Sequence, residues 1–239
     1  NAGDGIGYDH ADWANLRFLC QGPTPTATPT QTPTPTSTVA VIPDQIPAYY
    51  HGKVLFLSNR SGGNNQSGSE QSDVYALDPA TNELFRVNEP WVYGLAQKQL
   101  GLSPDKQYEA IVKEDSNRVL QIQTHSFQYG KIKQISTFGT ISYDPTWSPK
   151  GDLIAFVSTN SGNDEIYTVT IDGSVTRQLT HNTYEWDKHP SWSPDGSKIV
   201  FMSNRETGRR QLWVMDADGG HQQPLISDQF EDWDPIWLP

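Results

Sequence analysis

The stretch DPTWSPKGDLIAFVS, residues 144–158, returns in closely similar form as HPSWSPDGSKIVFMS at residues 189–203. Working outward, Trp147, Trp192 and Trp237 stand 45 residues apart, and Pro145, Pro190 and Pro235 keep the same phase. A degenerate copy, Leu102-Ser103-Pro104-Asp105, falls one period before Trp147-Ser148-Pro149-Lys150. The first copy, YHGKVLFLSNR at residues 50–60, echoes DGSKIVFMSNR at residues 195–205. A period in the forties marks a chain built by copying one supersecondary unit.

Each unit also divides into four short strands. In the third they cover residues 145–148, 153–158, 165–170 and 177–180, separated by Pro149-Lys150-Gly151, a run from Asn160 to Asp164, and Asp172-Gly173. These breaks have turn chemistry: glycine supplies positive φ, and Asn or Asp bonds its own backbone. The fourth unit repeats the pattern, with residues 212–215 as its third strand and Asp218-Gly219-Gly220 as its turn. Four-stranded units at this spacing fit propeller blades. The expected fold is all-β: a β-propeller of four roughly 45-residue, four-stranded blades over residues 43–239.

The motif P-x-W-S-P-D-G-x-x-I-x-F, followed by I/L-Y/W, then D-G and L-T, resembles the TolB-type propeller repeat. The resemblance covers about four-fifths of the chain. It departs in the second unit, where Gln107 replaces the turn glycine, and in the first, where the Trp is absent and a Gly/Asn/Ser-rich insertion runs over residues 61–72. It implies the propeller fold and constrains function only loosely. The chain given stops at EDWDPIWLP, one inner strand into a further unit. That strand is expected to complete the first blade and lock the ring, since end blades otherwise present unpaired edges. The competing reading makes Ile46-Pro47-Ala48-Tyr49-Tyr50 the first blade's own inner strand.

Residues 23–42 form a different region. PTPTATPTQTPTPTST alternates Thr with Pro or a small residue, which blocks helix and ladder alike and predicts an extended linker. Its threonines, Thr24, Thr26, Thr28, Thr30, Thr32, Thr34, Thr36 and Thr38, are candidate O-glycosylation positions by composition. Stalks of this kind suggest a bacterial extracellular or cell-surface location. Residues 1–22 end in an alternating run with apolar Leu16 and Phe18, expected to be one β-strand, which cannot bury its own backbone. GIGYDHADWANLRF resembles the last strand of the NPCBM carbohydrate-binding module. Two explanations stay open: a truncated β-sandwich, or an arm (Tyr8, Trp13, Leu16, Phe18) donated to another subunit's sheet. The chain begins at Asn1 without Met, which suggests a processed product or fragment.

The charge balance, 17 basic against 28 acidic residues, is −11. Such a chain repels phosphate backbones and anionic surfaces, so nucleic acid is not an expected partner. No apolar run reaches the length of a membrane helix, so no membrane insertion is expected. Cys20 stands alone, which excludes an internal disulfide. G-x-S-x-G, H-E-x-x-H and phosphate-cradling loops are missing. The recurrent Ser103, Ser148 and Ser193 read as turn residues. The sequons at Asn59 and Asn65 form too readily by chance to weigh.

Residues preceding the repeat Trp face a propeller's channel. There the in-phase positions hold Asp144, His189 and Asp234. Two carboxylates and an imidazole are candidate ligands for a divalent cation such as calcium; no other cofactor is expected. The competing reading is Asp-Pro turn chemistry. Trp186 and Trp233 fall outside the repeat phase, beside Asp187 and Asp232, where rings and carboxylates suit glycan or peptide recognition. Packing against the next blade is the competing reading. Three functions follow in order: a non-catalytic scaffold for a protein or glycan ligand; a self-assembling filament subunit joined through residues 1–22; and, remotely, a metal-dependent polysaccharide lyase, which TolB-like propellers also serve.

Overall fold

The computed structural model describes residues 45–61 and 72–239. The linker threonines, the arm residues Tyr8, Trp13, Leu16 and Phe18, Cys20 and the sequon at Asn65 lie outside the described residues. A single 3-10 turn at Ala48–Tyr50 opens the fold, so Ile46–Tyr50 is not a strand. There follow β1 (Val54–Ser58), β2 (Asp73–Leu77), β3 (Leu84–Arg86), α1 (Trp91–Leu100), β4 (Tyr108–Glu114), β5 (Leu120–Ser126) and β6 (Ile132–Gln134). The second half runs β7 (Ser142–Trp147), β8 (Leu153–Ser158), β9 (Glu165–Thr170), β10 (Thr176–Gln178), β11 (Asp187–Trp192), β12 (Lys198–Ser203), β13 (Gln211–Asp216), β14 (Gln223–Pro224) and β15 (Asp232–Trp237).

These strands form four antiparallel sheets: β15-β1-β2-β3, β4-β5-β6, β7-β8-β9-β10 and β11-β12-β13-β14. The expected closure is present. β15 pairs with β1, Val54 opposite Trp237 and Ser58 opposite Asp232, so the sequence's last strand is the first sheet's inner one. One expectation is corrected. The second unit has three strands, and α1 takes the inner strand's place in the sequence. Its residues explain this: WVYGLAQKQL contains one β-branched side chain, and its buried Val92, Tyr93 and Ala96 recur at helical spacing.

Apolar clusters join each sheet to the next. Ile122 and Ile135 of the second sheet's side pack with Trp147, Ile154 and Phe156 of the third. Ala155 and Ile166 of the third pack with Trp192, Ile199 and Phe201 of the fourth. Val200 and Leu212 of the fourth meet Val54 and Phe56 of the first, and Leu55 and Ile236 of the first meet Val92, Tyr93 and Ala96 of α1. The repeat tryptophans tie the same seams: Trp147 Nε1 donates to Gly101 O at 2.9 Å and Trp192 Nε1 to Thr146 O at 3.3 Å. An indole suits this position because it fills an intersheet gap and still satisfies its one polar atom.

The Ser-Pro turns also have a chemical cause. Ser103, Ser148 and Ser193 each donate to a nearby carboxylate, Asp105, Asp152 and Asp195, at 2.6–2.7 Å. Each also accepts the amide five residues on, from Tyr108, Leu153 or Lys198. Their hydroxyls are thus occupied by the turn. In the second unit the left-handed residue in the place of Gly151 and Gly196 is Lys106, at φ +56°, not Gln107.

Candidate functional site

The inner elements α1, β7, β11 and β15 surround two cavities of about 360 Å³ each, which share Leu100, Thr146 and Ile236 in their walls. One opens among the Ser-Pro turns, lined by Pro104, Pro149, Pro194 and Pro239. The other is lined by Tyr93, Gln97, Val112, Asp144, His189 and Asp234. The second carries the chemistry.

Asp144, His189 and Asp234 reach this mouth through one repeated backbone device. Each pairing of an inner strand with its neighbour shifts register at this point, between Tyr143 and Thr146, between Lys188 and Ser191, and between Leu55 and Leu57 opposite β15. All three residues have φ +51°. The left-handed region is rare for residues with side chains, and Asp and His are among those that enter it most readily. A following proline disfavours helical geometry in the residue before it. Bulges of this kind re-aim side chains, and backbone strain concentrates at functional sites.

The three side chains converge. His189 Nδ1 lies 3.1 Å from Asp144 Oδ2, and its Nε2 lies 3.1 Å from Asp234 Oδ1. The imidazole therefore stands between the carboxylates. Asp144 Oδ2 is buried and has no hydrogen-bond partner. Burial pushes the Asp144 carboxyl above the usual range, helped by Asp234, while His189 and Lys188 oppose the shift. Tyr93 Oη donates to the Asp234 carbonyl at 2.7 Å, fixing α1 to β15 beside the cluster.

Each imidazole nitrogen lies 3.1 Å from a carboxylate oxygen. Among the described residues, no group of three or more His, Cys, Asp or Glu side chains is placed to hold a metal ion.

The out-of-phase tryptophans and the aspartates beside them are divided. Asp187 and Asp232 are wholly buried. Asp232 takes two bonds from Arg60 Nη2, at 2.7 and 2.6 Å, and Asp187 takes Arg205 and, at 2.7 Å, Asn182 Nδ2. Both Asp232 oxygens and Asp187 Oδ2 are thus occupied inside the protein, whereas Asp187 Oδ1 is buried without a hydrogen-bond partner. Trp233 is buried with the Arg210 guanidinium 4.1 Å from its ring centre. Trp186 remains half-exposed, with Lys188 Nζ 5.3 Å above it. Lys188 also approaches the Tyr143 ring at 5.9 Å and pairs with Asp164 at 2.9 Å. The sequence reading missed Tyr143, Asp164 and Lys188; Tyr143 and Lys188 directly precede the in-phase residues 144 and 189, which was the available signal, and Asp164 had none.

Residues 94–239, well over half of the chain, match the family described as the TolB beta propeller domain. The chain belongs to the TolB β-propeller family. An uncharacterised protein of Agrobacterium fabrum is 33% identical over 106 residues, covering 44% of this chain and 36% of that protein. The crystal structure of TolB from Acinetobacter baumannii superposes with a TM-score of 0.50 at 25% identity, covering 79% of this chain and 44% of the other. This TolB-family chain thus spans less than half the length of either relative. No helix among its described residues is long and apolar enough to cross a membrane.

Proposed function

We propose that this TolB-family protein is a secreted or cell-surface, non-catalytic scaffold that binds a protein or glycan at the Asp144–His189–Asp234 mouth. The ring has four blades in this reading, the second using α1 as its inner element. One observation carries the proposal. Three residues from three sheets hold the same left-handed backbone before proline, and together they turn two carboxylates and an imidazole toward one cavity. Half-exposed Trp186, with Lys188 Nζ 5.3 Å from its ring centre and Lys188 directly before His189 in β11, offers a ring for stacking near groups that fix orientation. The recurrent serines add no nucleophile, because the turns occupy their hydroxyls.

The test is a glycan array and a pull-down from cell-surface extracts, run in parallel on the wild type and an Asp144→Asn/Asp234→Asn variant. A ligand retained by the wild type and lost by the variant supports the reading. A ligand held equally by both places recognition elsewhere.

A further inference from the structure

The second sheet is the one place among the described residues where the inner circle lacks a strand. Ala110 and Val112 stand one 45-residue period before Ala155 and Val157. In the third sheet those residues pair with Thr146 and Tyr143 of the inner strand β7. In the second, only the first of these partners survives: Ala110 N donates to Gly101 O at 2.7 Å, and Ser103 N donates to Tyr108 O at 2.9 Å. The residues that would meet Val112 belong to α1. These bonds show that even-numbered residues of β4 direct their amides and carbonyls away from β5. Among the described residues, no backbone bond reaches that side of Val112 or Glu114. Val112 is 38% exposed and lines the same cavity as Asp144, His189 and Asp234.

We propose that β4 at Val112–Glu114 receives an extended peptide segment bearing a basic side chain, which pairs with the open edge and sets its cation against Asp144 and Asp234. The inference rests on the mouth being the recognition face and specifies the class of partner it takes. Backbone pairing gives such a segment its hold, and alternate side chains give it specificity. Charge complementarity selects the basic partner. The chain carries a net charge of −11, two carboxylates flank the cavity, and Asp144 Oδ2 is a buried acceptor without a donor. Lys188, beside His189 in β11, is already paired with Asp164. A lysine or arginine from outside brings its charge to the exposed parts of the Asp144 and Asp234 side chains, each 30% exposed. The open edge is only three residues long, so binding is expected to be modest and weakened by salt.

The experiment titrates the full chain with a capped heptapeptide of alternating threonine and valine with a central lysine, and with its glutamate counterpart. Calorimetry follows binding, and hydrogen exchange follows the edge. The lysine peptide is expected to bind at least 10-fold more tightly than the glutamate one and to protect the Val112 and Glu114 amides. Val112→Pro removes one open-edge amide at a position where proline is tolerated. It should weaken binding about 10-fold with the thermal midpoint retained, whereas Asp144→Asn/Asp234→Asn should erase the lysine preference. Absence of binding, or saturation without protection of those amides, overturns strand pairing. If an array or pull-down ligand still depends on Asp144 and Asp234, only strand pairing falls; if that dependence is absent as well, the mouth reading falls with it.

Discussion

Arg60 Nη2 donates two hydrogen bonds to the Asp232 carboxylate, at 2.7 and 2.6 Å, across 172 residues of sequence. The same guanidinium lies over the rings of Phe56, Tyr75 and Phe230. It therefore joins the end of β1 to the start of β15, where the first and last strands of the fold meet. Arg205 and Asp187 repeat the pair in the fourth sheet. In the third, Asn160 stands where the arginine would be, and Ser142 replaces the aspartate and bonds Ser158 at 3.2 Å.

That internal comparison predicts a double-mutant outcome. Arg60→Asn alone leaves a buried carboxylate without its cation and should cost about 3–5 kcal/mol. Adding Asp232→Ser recreates the third sheet's neutral arrangement and should recover most of the loss. Urea denaturation of the two single variants and the double variant measures the coupling. A double variant no more stable than Arg60→Asn would contradict this account of the lock.

A second prediction concerns pH. Glu165 is wholly buried, and burial pushes its carboxyl above the usual range against hydrogen bonds from Thr180, Asn182 and Asn163. Asp144 and Asp232 are raised for the same first cause. A carboxyl raised in the folded state contributes stability below its ordinary value, and that contribution is lost as pH rises through the folded value. Asp195 behaves oppositely. Bonds from Ser193 and Ser197 hold it down to about 2, so its contribution is present above the usual range and lost as pH falls toward 2. The thermal midpoint should therefore be highest in mildly acid solution and decline toward neutrality. Buried glutamines stand near the start of the corresponding strands, Gln121 second in β5 and Gln211 first in β13. Glu165→Gln should fold and flatten part of that decline; an unchanged profile would show that Glu165 is not its source.

Lys106 offers a stabilising change. It is exposed and left-handed at the position that Gly151 and Gly196 occupy in later turns. Lys106→Gly removes the steric cost of that conformation, although a freer unfolded chain offsets part of the gain. A net stabilisation of up to about 1 kcal/mol is expected in thermal or urea unfolding. A loss of 1 kcal/mol would mean that the lysine side chain makes a contact worth more than the strain.

Much of the fold was legible because the tryptophan, proline and turn-glycine positions repeat strictly in the third and fourth units. Both predicted spans 153–158 and 165–170 coincide with β8 and β9. Closure by β15 followed from an inner strand that otherwise lacked a sheet. The helix α1 was not legible from the period, since the second unit has lost the tryptophan that marks the inner strand. Its own side-chain spacing was the remaining signal. At the site, phase alone identified residues 144, 189 and 234. Their left-handed bulges were hidden because a residue before proline ordinarily reads as extended or turn. The burial of Asp187 and Asp232 was hidden for another reason: each carboxylate meets an arginine that only the folded sheet brings to it.

Recognition at the Asp144–His189–Asp234 mouth is tested most directly by measuring one ligand's affinity for three proteins. These are the wild type, the Asp144→Asn/Asp234→Asn variant, and Lys106→Gly, which alters the opposite mouth. With thermal midpoints confirming that all three are folded, the account predicts a loss of at least 10-fold in the Asp variant alone. Equal affinity in the wild type and the Asp variant would contradict it.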